Sequence, residues 1–289
     1  MIGSLAPIAV SGAEAFDPGE VIIHHVANSD TWAFGTSKAV LMMGLAAVLV
    51  AVGMLRAARG YDGDGVPVTR WAQMIDPFVQ HFYRDIAWQY VGPKWARRVT
   101  PLLLNFFFFI LCCNLLGLVP LSEIAALVGH ALTGHEPFFA HGAATATGNF
   151  NVTMSLAAIT FFAIHLFGIR QQGVVKHFGH LLGPPGVPAF VRPLLFVIEV
   201  LSMFVKPFAL TMRLAANMTA GHMALLALMS IPFILKKISA GVALASGFGA
   251  VVPLAVGISL LEIIVCFVQA YVFALLSGVF IGLAVHEQH

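Results

Sequence analysis

Three ionisable residues recur at steps of seven within one long apolar stretch: Glu199, Lys206 and Arg213. Seven residues advance a helix by about 700°, a lag of only about 20°, so the three share one stripe. Asn217, four residues beyond Arg213, continues it. A second apolar stretch carries Glu262 and Gln269, again seven apart and on one face. His222 lies nine residues past Arg213, about 900° of rotation, and so points to the opposite side. A charge at mid-bilayer costs about 2.5–3.5 kcal/mol on insertion scales, so such residues face water or a partner. Arginine cannot lose its proton in a protein, which makes Arg213 a permanent cation. A histidine and an acid together fit a proton relay, since one of them titrates near neutrality.

Plainer readings stand beside these. Glu199 and Lys206 could bridge two helices or snorkel to the interface. His222 and Glu262 could each be a satisfied polar core residue. Arg213 is harder to explain away. It sits deep in TMRLAANMTAGHMALLALM with no well-placed carboxylate on the adjacent turn. An unpaired buried guanidinium is untenable, so its partner comes from another chain or from water. Ala215, Ala216, Ala220 and Gly221 permit close approach of another helix.

Composition says what must hold these residues. Hydrophobic residues make up 59% of the 289 positions and charged residues 10%, with mean hydropathy +0.91. A soluble domain carries about 25% charged residues, so the class is an all-α polytopic membrane protein in a lipid bilayer. The net charge of +2 and the absence of any Lys/Arg run exclude nucleic acid as a partner. Cys112 and Cys113 are adjacent, about 100° apart on a helix, and Cys266 is remote. No metal site is expected, and no cofactor either.

A spanning helix needs about 20 mostly apolar residues. Spans are expected at 39–55, 101–121 and 152–169, and two longer apolar segments follow at 191–235 and 240–285. One helix over 191–229 would run roughly 58 Å against a hydrocarbon core of about 30 Å. We therefore expect a hairpin of two long, tilted helices, and five membrane-crossing segments in a single membrane domain over 1–289. Pro193, Pro207 and Pro253 offer bends without splitting either segment. Residues 71–91 place Trp71, Met74, Ile75, Phe78 and Phe82 at helical spacing, which predicts an amphipathic surface helix. An ordinary connecting helix remains open there.

Seven basic residues fall between Arg56 and Thr100, none between Ser122 and Asn151, and three between Arg170 and Arg192. The positive-inside rule then puts the N-terminal tail (1–38) outside and the C-terminus in the cytoplasm. Lys236 and Lys237 run against the pattern but do not outvote ten basic residues. The tail lacks a basic n-region and reads as extramembrane, with a processed leader as the alternative.

The stretch KPFALTMRLAANMTAGH (206–222) resembles the signature of subunit a of F-type, rotary ATP synthases. GNFNVTMSL (148–156), NLLGLVP (114–120) and EIIVCFVQAYVF (262–273) are similar to other segments of that family, in the same order. The resemblance covers roughly residue 30 to the C-terminus. It implies a stator subunit offering two aqueous half-channels to a rotating ring of small, carboxylate-bearing c subunits, with peripheral-stalk b-type subunits as further partners. Arg213 is implied to face the ring carboxylates. Asn217, His222, Glu262 and Gln269 are implied to line the outer half-channel, with Asn114 facing the same region. Glu199 is implied on the cytoplasmic exit side, with Lys206 and His165 as secondary candidates.

One bacterial pattern of that family has an acid where His222 stands and a histidine where Glu262 stands. Here the two are exchanged, as in mitochondrial-type members, which keeps one His and one acid in the set. A bacterial inner membrane is the expected location, a mitochondrial-type membrane the lesser one. The loop Ser122–Gly148, with His130, His135 and His141, is poorly matched and reads as exposed. The chain has no P-loop, so nucleotide chemistry lies elsewhere. Proton rather than sodium coupling is an expectation, because the ring chain chiefly binds the ion. A secondary transporter with a midplane Arg site is the rival reading. It predicts duplicated halves and more spans, which this sequence does not have.

Overall fold

The computed structural model describes residues 38–118, 146–179, 190–236 and 239–286. The N-terminal tail up to residue 37, the histidine-bearing loop at 119–145 and Lys237 lie outside the described residues, as does the side chain of His222. Among the described residues, five helices are long and apolar enough to cross a membrane. The rest is helix and turn, with one isolated bridge between Tyr61 and Pro67. The chain is an all-α, multi-pass membrane protein.

Helix α1 (Lys38–Ala58) has 21 residues, about 31 Å of rise, which matches a hydrocarbon core of about 30 Å. Leu41, Leu45, Val48, Val52 and Leu55 are exposed along it. That surface would be a liability in water and is at rest in lipid. A tight turn follows, in which a Cβ on Gly60 would collide with Thr69 Oγ1. Thr69 then caps helix α2 (Arg70–His81), accepting from the Ala72 amide at 3.3 Å. Trp71 Nε1 donates to Gly53 O at 2.8 Å and ties α2 back to α1.

The segment 71–91, expected as one surface helix, divides in two. Trp71 and Met74 of α2 are exposed as expected. From Phe82 the chain continues as a π-helix to Val91, and Phe82, Ile86, Ala87 and Val91 are buried. They pack between helix α3 (Pro93–Leu118) and helix α8 (Val252–His286). Gly92, at φ +89°, makes the turn into α3 in a conformation that L side chains rarely adopt.

The α8 face that receives this segment is built from small residues. Ala270, Ala274, Gly278 and Gly282 recur every four positions, and all are buried. A Cβ on Gly282 would enter the Tyr90 carbonyl, and one on Gly278 would stand 2.9 Å from Ile86. Small residues at i, i+4 let backbones approach where no hydrophobic driving force separates protein from lipid. Around this contact, Phe82 and Phe107 lie 5.2 Å apart centre to centre, and Phe106 and Phe273 5.5 Å.

A 3₁₀ turn (Ala146–Gly148) leads to α4 (Phe150–Gln172), capped by the Asn149 side chain, and to a short α5 (Val174–Gly179). Helix α6 (Arg192–Leu235) has 44 residues despite Pro207 and Pro232 within it. Its length of about 66 Å is more than twice the hydrocarbon thickness. The final segment stays helical from Ala240 to His286, with a π turn set within it. It comprises α7 (Ala240–Ser246), a π turn (Gly247–Val251) and α8. The interruption precedes Pro253. Proline has no N–H to donate, and its ring crowds the carbonyl four residues back, here Gly249. The wider π turn relieves that clash without ending the helix.

Candidate functional site

On α8 the residues Glu262, Cys266, Gln269, Phe273 and Ser277 fall on one buried face. Glu262 is 5% exposed and Gln269 7%. Gly221 of α6 makes room for the carboxyl: a Cβ there would stand 2.9 Å from Glu262 Oε1. Further along, Lys206 Nζ of α6 lies 5.9 Å from the centre of the Phe280 ring on α8. These two contacts fix α6 and α8 as antiparallel and bring Arg213 opposite the α8 turn Ala270–Phe273. Glu262 is then displaced along the helix axis from the Arg213 position by about nine residues, or ~13 Å. Glu199 is displaced the other way by fourteen residues, about 21 Å.

Asn114 of α3 is fully buried between elements. Its Nδ2 donates to Cys266 O at 3.4 Å, and its Oδ1 accepts from Thr147 Oγ1 at 2.7 Å. It therefore joins α3, α8 and the 3₁₀ turn one helical turn from Glu262. Beyond Gln269 the same seam holds a second polar contact, Thr160 Oγ1 to Ser277 Oγ at 3.3 Å, both fully buried. Each hydroxyl also bonds a carbonyl of its own helix, Leu156 O and Phe273 O. Thr147, Thr160 and Ser277 were not legible as site residues. A neutral hydroxyl neither lowers hydropathy much nor recurs at a telling spacing.

Arg213 lies on a different face. The side of α6 that packs inward comprises Leu210, Thr211, Leu214, Ala215 and Met218. Arg213 is about 100° of rotation from Leu214, away from the centre of that group, and is exposed, as is Asn217. Ala209, Ala216 and Ala220 share the exposed, outward side of the helix with Arg213. Among the described residues Arg213 has no ion-pair partner. The stripe read from the sequence is thus only partly common: Glu199 and Lys206 are half-buried, Arg213 and Asn217 are open. The lag of about 20° per seven residues accumulates in this direction, turning the stripe away from α8 as it approaches Arg213.

His165 of α4 is half-buried, its ring 4.4 Å from that of Phe161 in an edge-on arrangement, and Phe161 in turn stacks on Phe204 of α6. His222 belongs to α6 one residue after Gly221, half a turn of rotation from Arg213. The geometry therefore brings together Asn114, Glu262 and Gln269 in one seam and keeps Arg213 and Asn217 outside it. Cys112, Cys113 and Cys266 are free thiols, and no His/Cys/Asp/Glu group among the described residues is arranged to hold a metal. What the arrangement can do is separate two tasks. A buried polar seam can hand on protons, while an outward cation can meet an anion brought by another chain.

Comparison with known proteins gives one consistent result. The family profile described as ATP synthase A chain matches residues 40–282. ATP synthase subunit a 2 of Chlorobaculum tepidum is 36% identical over 289 residues, covering 92% of this chain and 73% of the relative. ATP synthase subunit a of Myxococcus xanthus is 39% identical over 253 residues, 88% of this chain and 74% of the relative. That of Chlorobium phaeobacteroides is 33% identical over 293 residues, 94% and 77% respectively.

Proposed function

Because the chain belongs to the ATP synthase A chain family, we propose that it is the stator subunit that conducts protons to and from a rotating ring of carboxylate-bearing subunits. The observation that carries this reading is the division of polar groups between two faces: Glu262 and Gln269 buried in a seam, Arg213 outward among alanines.

A proton enters from the outer side and passes the group formed by Asn114, His222, Glu262 and Gln269 towards Asn217, which stands with Arg213 on the outward face. It neutralises a ring carboxylate, and a neutral carboxyl crosses lipid at little cost where an ionised one does not. After nearly a full turn the carboxyl meets Arg213. An opposite charge at close range favours the ionised form, so the proton leaves. It departs on the side of Glu199, with Lys206 and His165 nearby. Arg213 holds its own proton throughout, which blocks a direct path from one half-channel to the other. Each proton brings about 2.3 kcal/mol per 100 mV of membrane potential. The opposite axial displacements of Glu262 and Glu199 from Arg213 support two offset half-channels.

The proposed setting is a bacterial plasma membrane, with the N-terminus outside, the C-terminus in the cytoplasm, and b-type stalk subunits holding the stator against the ring. Nucleotide catalysis belongs to other subunits. The test is Arg213→Ala in the assembled complex: proton-driven ATP synthesis falls to background while the subunit still inserts and co-purifies. Substantial retained synthesis overturns the proposal.

A further inference from the structure

The positive charge of the chain is concentrated in one stretch. Arg56–Arg98 carries seven Lys and Arg against four Asp, a net of +3, where the whole chain carries +2. These cations are not all committed alike. Lys94 donates to Gln171 Oε1 at 2.9 Å and lies, with Arg98, over the Trp95 ring. Arg97 instead edges a slot of about 470 Å³ between α1, α2 with its π extension, and α3. It is exposed and has no ion-pair partner among the described residues.

The slot is amphipathic. Arg97, Tyr83, Thr100 and Asn105 supply its polar groups, and Met54, Val79, Pro101 and Leu104 its apolar wall. Met54 also lines a neighbouring cavity of about 510 Å³, walled by apolar side chains that include Phe108, Leu111 and Leu115. From Arg97 to Phe108 is eleven residues of α3, about 16 Å of rise. That is about half of a hydrocarbon core of ~30 Å, the depth of one leaflet. A guanidinium at the basic end of the bundle thus stands above two adjoining cavities, the deeper one apolar, that share Met54 and together span about one leaflet.

We propose that this cleft binds one phospholipid with an anionic headgroup, its phosphate on Arg97 and an acyl chain running past Leu104 and Met54. The guanidinium fork matches a phosphate with two parallel hydrogen bonds. Juxtamembrane basic residues favour anionic over zwitterionic lipids. The combination of one guanidinium with a run of aliphatic side chains suits a headgroup and its acyl chain. Free phosphate would leave the apolar wall without a partner.

The test uses the assembled complex in nanodiscs of phosphatidylcholine containing a photoactivatable phosphatidylglycerol. Cross-links should map to the peptides around Val79–Tyr83 and Arg97–Asn105. Unlabelled phosphatidylglycerol should compete them away and phosphatidylcholine should not. Arg97→Gln should weaken labelling about tenfold or more, the equivalent of one charge-assisted hydrogen bond. Arg97→Lys should recover part of it, and Leu104→Trp, which fills the slot and leaves the charge, should abolish it. Equal labelling by phosphatidylcholine, or labelling untouched by both Arg97→Gln and Leu104→Trp, overturns the proposal. So does a Leu104→Cys variant that cross-links to a neighbouring subunit instead of to lipid.

Discussion

Gly221 is where a single atom decides the geometry of the seam. The Glu262 carboxyl occupies the space that a side chain on Gly221 would need. Gly221→Ala puts a methyl 2.9 Å from Oε1 and forces the carboxyl aside. Overpacking of this kind costs about 1–3 kcal/mol, and 1.4 kcal/mol is a factor of ten in rate. We expect proton-driven synthesis to fall about tenfold with the complex intact. Glu262→Asp, one methylene shorter, should recover part of the loss when combined with Gly221→Ala. A double variant worse than the sum of the singles would break the steric link. Asn114 sets a second case. Asn114→Leu keeps the volume but removes the acceptor of Thr147 Oγ1 and the donor to Cys266 O. A buried hydroxyl stranded in this way costs about 1–3 kcal/mol. Lower thermal stability of the detergent-solubilised complex should register it, and pairing with Thr147→Val should restore most of the difference.

At the scale of elements, α8 is seated through a ladder of small residues. Gly282→Ala drives a methyl into the Tyr90 backbone carbonyl, which has little freedom to retreat. Subunit abundance in membranes should drop severalfold for Gly282→Ala and stay near wild type for Gly257→Ala, whose Cβ meets nothing within 4 Å. Comparable abundance for the two would mean that this contact is not what seats α8. The ladder Ala270, Ala274, Gly278, Gly282 was open to a sequence reader, because its spacing is regular. It was obscured by the apolar length of the segment, which satisfies the hydropathy criterion without it. The π-helix at Phe82–Val91 is a different kind of miss. Trp71, Met74, Ile75, Phe78 and Phe82 set a helical period, but hydropathy does not distinguish a face turned to lipid from one turned to α3 and α8. Only the tertiary partners separate exposed Met74 from buried Ile86. The five apolar spans themselves were legible, since hydrocarbon thickness sets helix length directly. The outward turn of Arg213 relative to Lys206 was not, because it follows from small angular lags and from which neighbour each residue meets.

For the whole molecule, the distribution of charge and apolar surface carries the proposed orientation and the proposed contact with a ring. The basic stretch Arg56–Arg98 predicts a cytoplasmic position for the turn at 59–69. A cysteine at Asp62 should react with an impermeant thiol reagent in inverted vesicles and not in intact cells; the reverse pattern would invert the proposed topology. The outward side of α6 combines a permanent cation with small side chains at Ala209, Ala216 and Ala220, a surface suited to a close-packed moving helix that carries an acid. Ala216→Cys should form a disulfide with a cysteine placed next to the ring carboxylate, and that bond should stop ATP-driven proton pumping.

The separating role proposed for Arg213 can be tested directly in vesicles stripped of the nucleotide-binding sector. With the Arg213→Ala subunit, imposed membrane potential should drive passive proton flux through the membrane sector, at or above the wild-type rate. Reattaching the sector should then yield no ATP from that flux. Flux that falls to zero, or ATP synthesis that survives, would contradict a cation that keeps two half-channels apart.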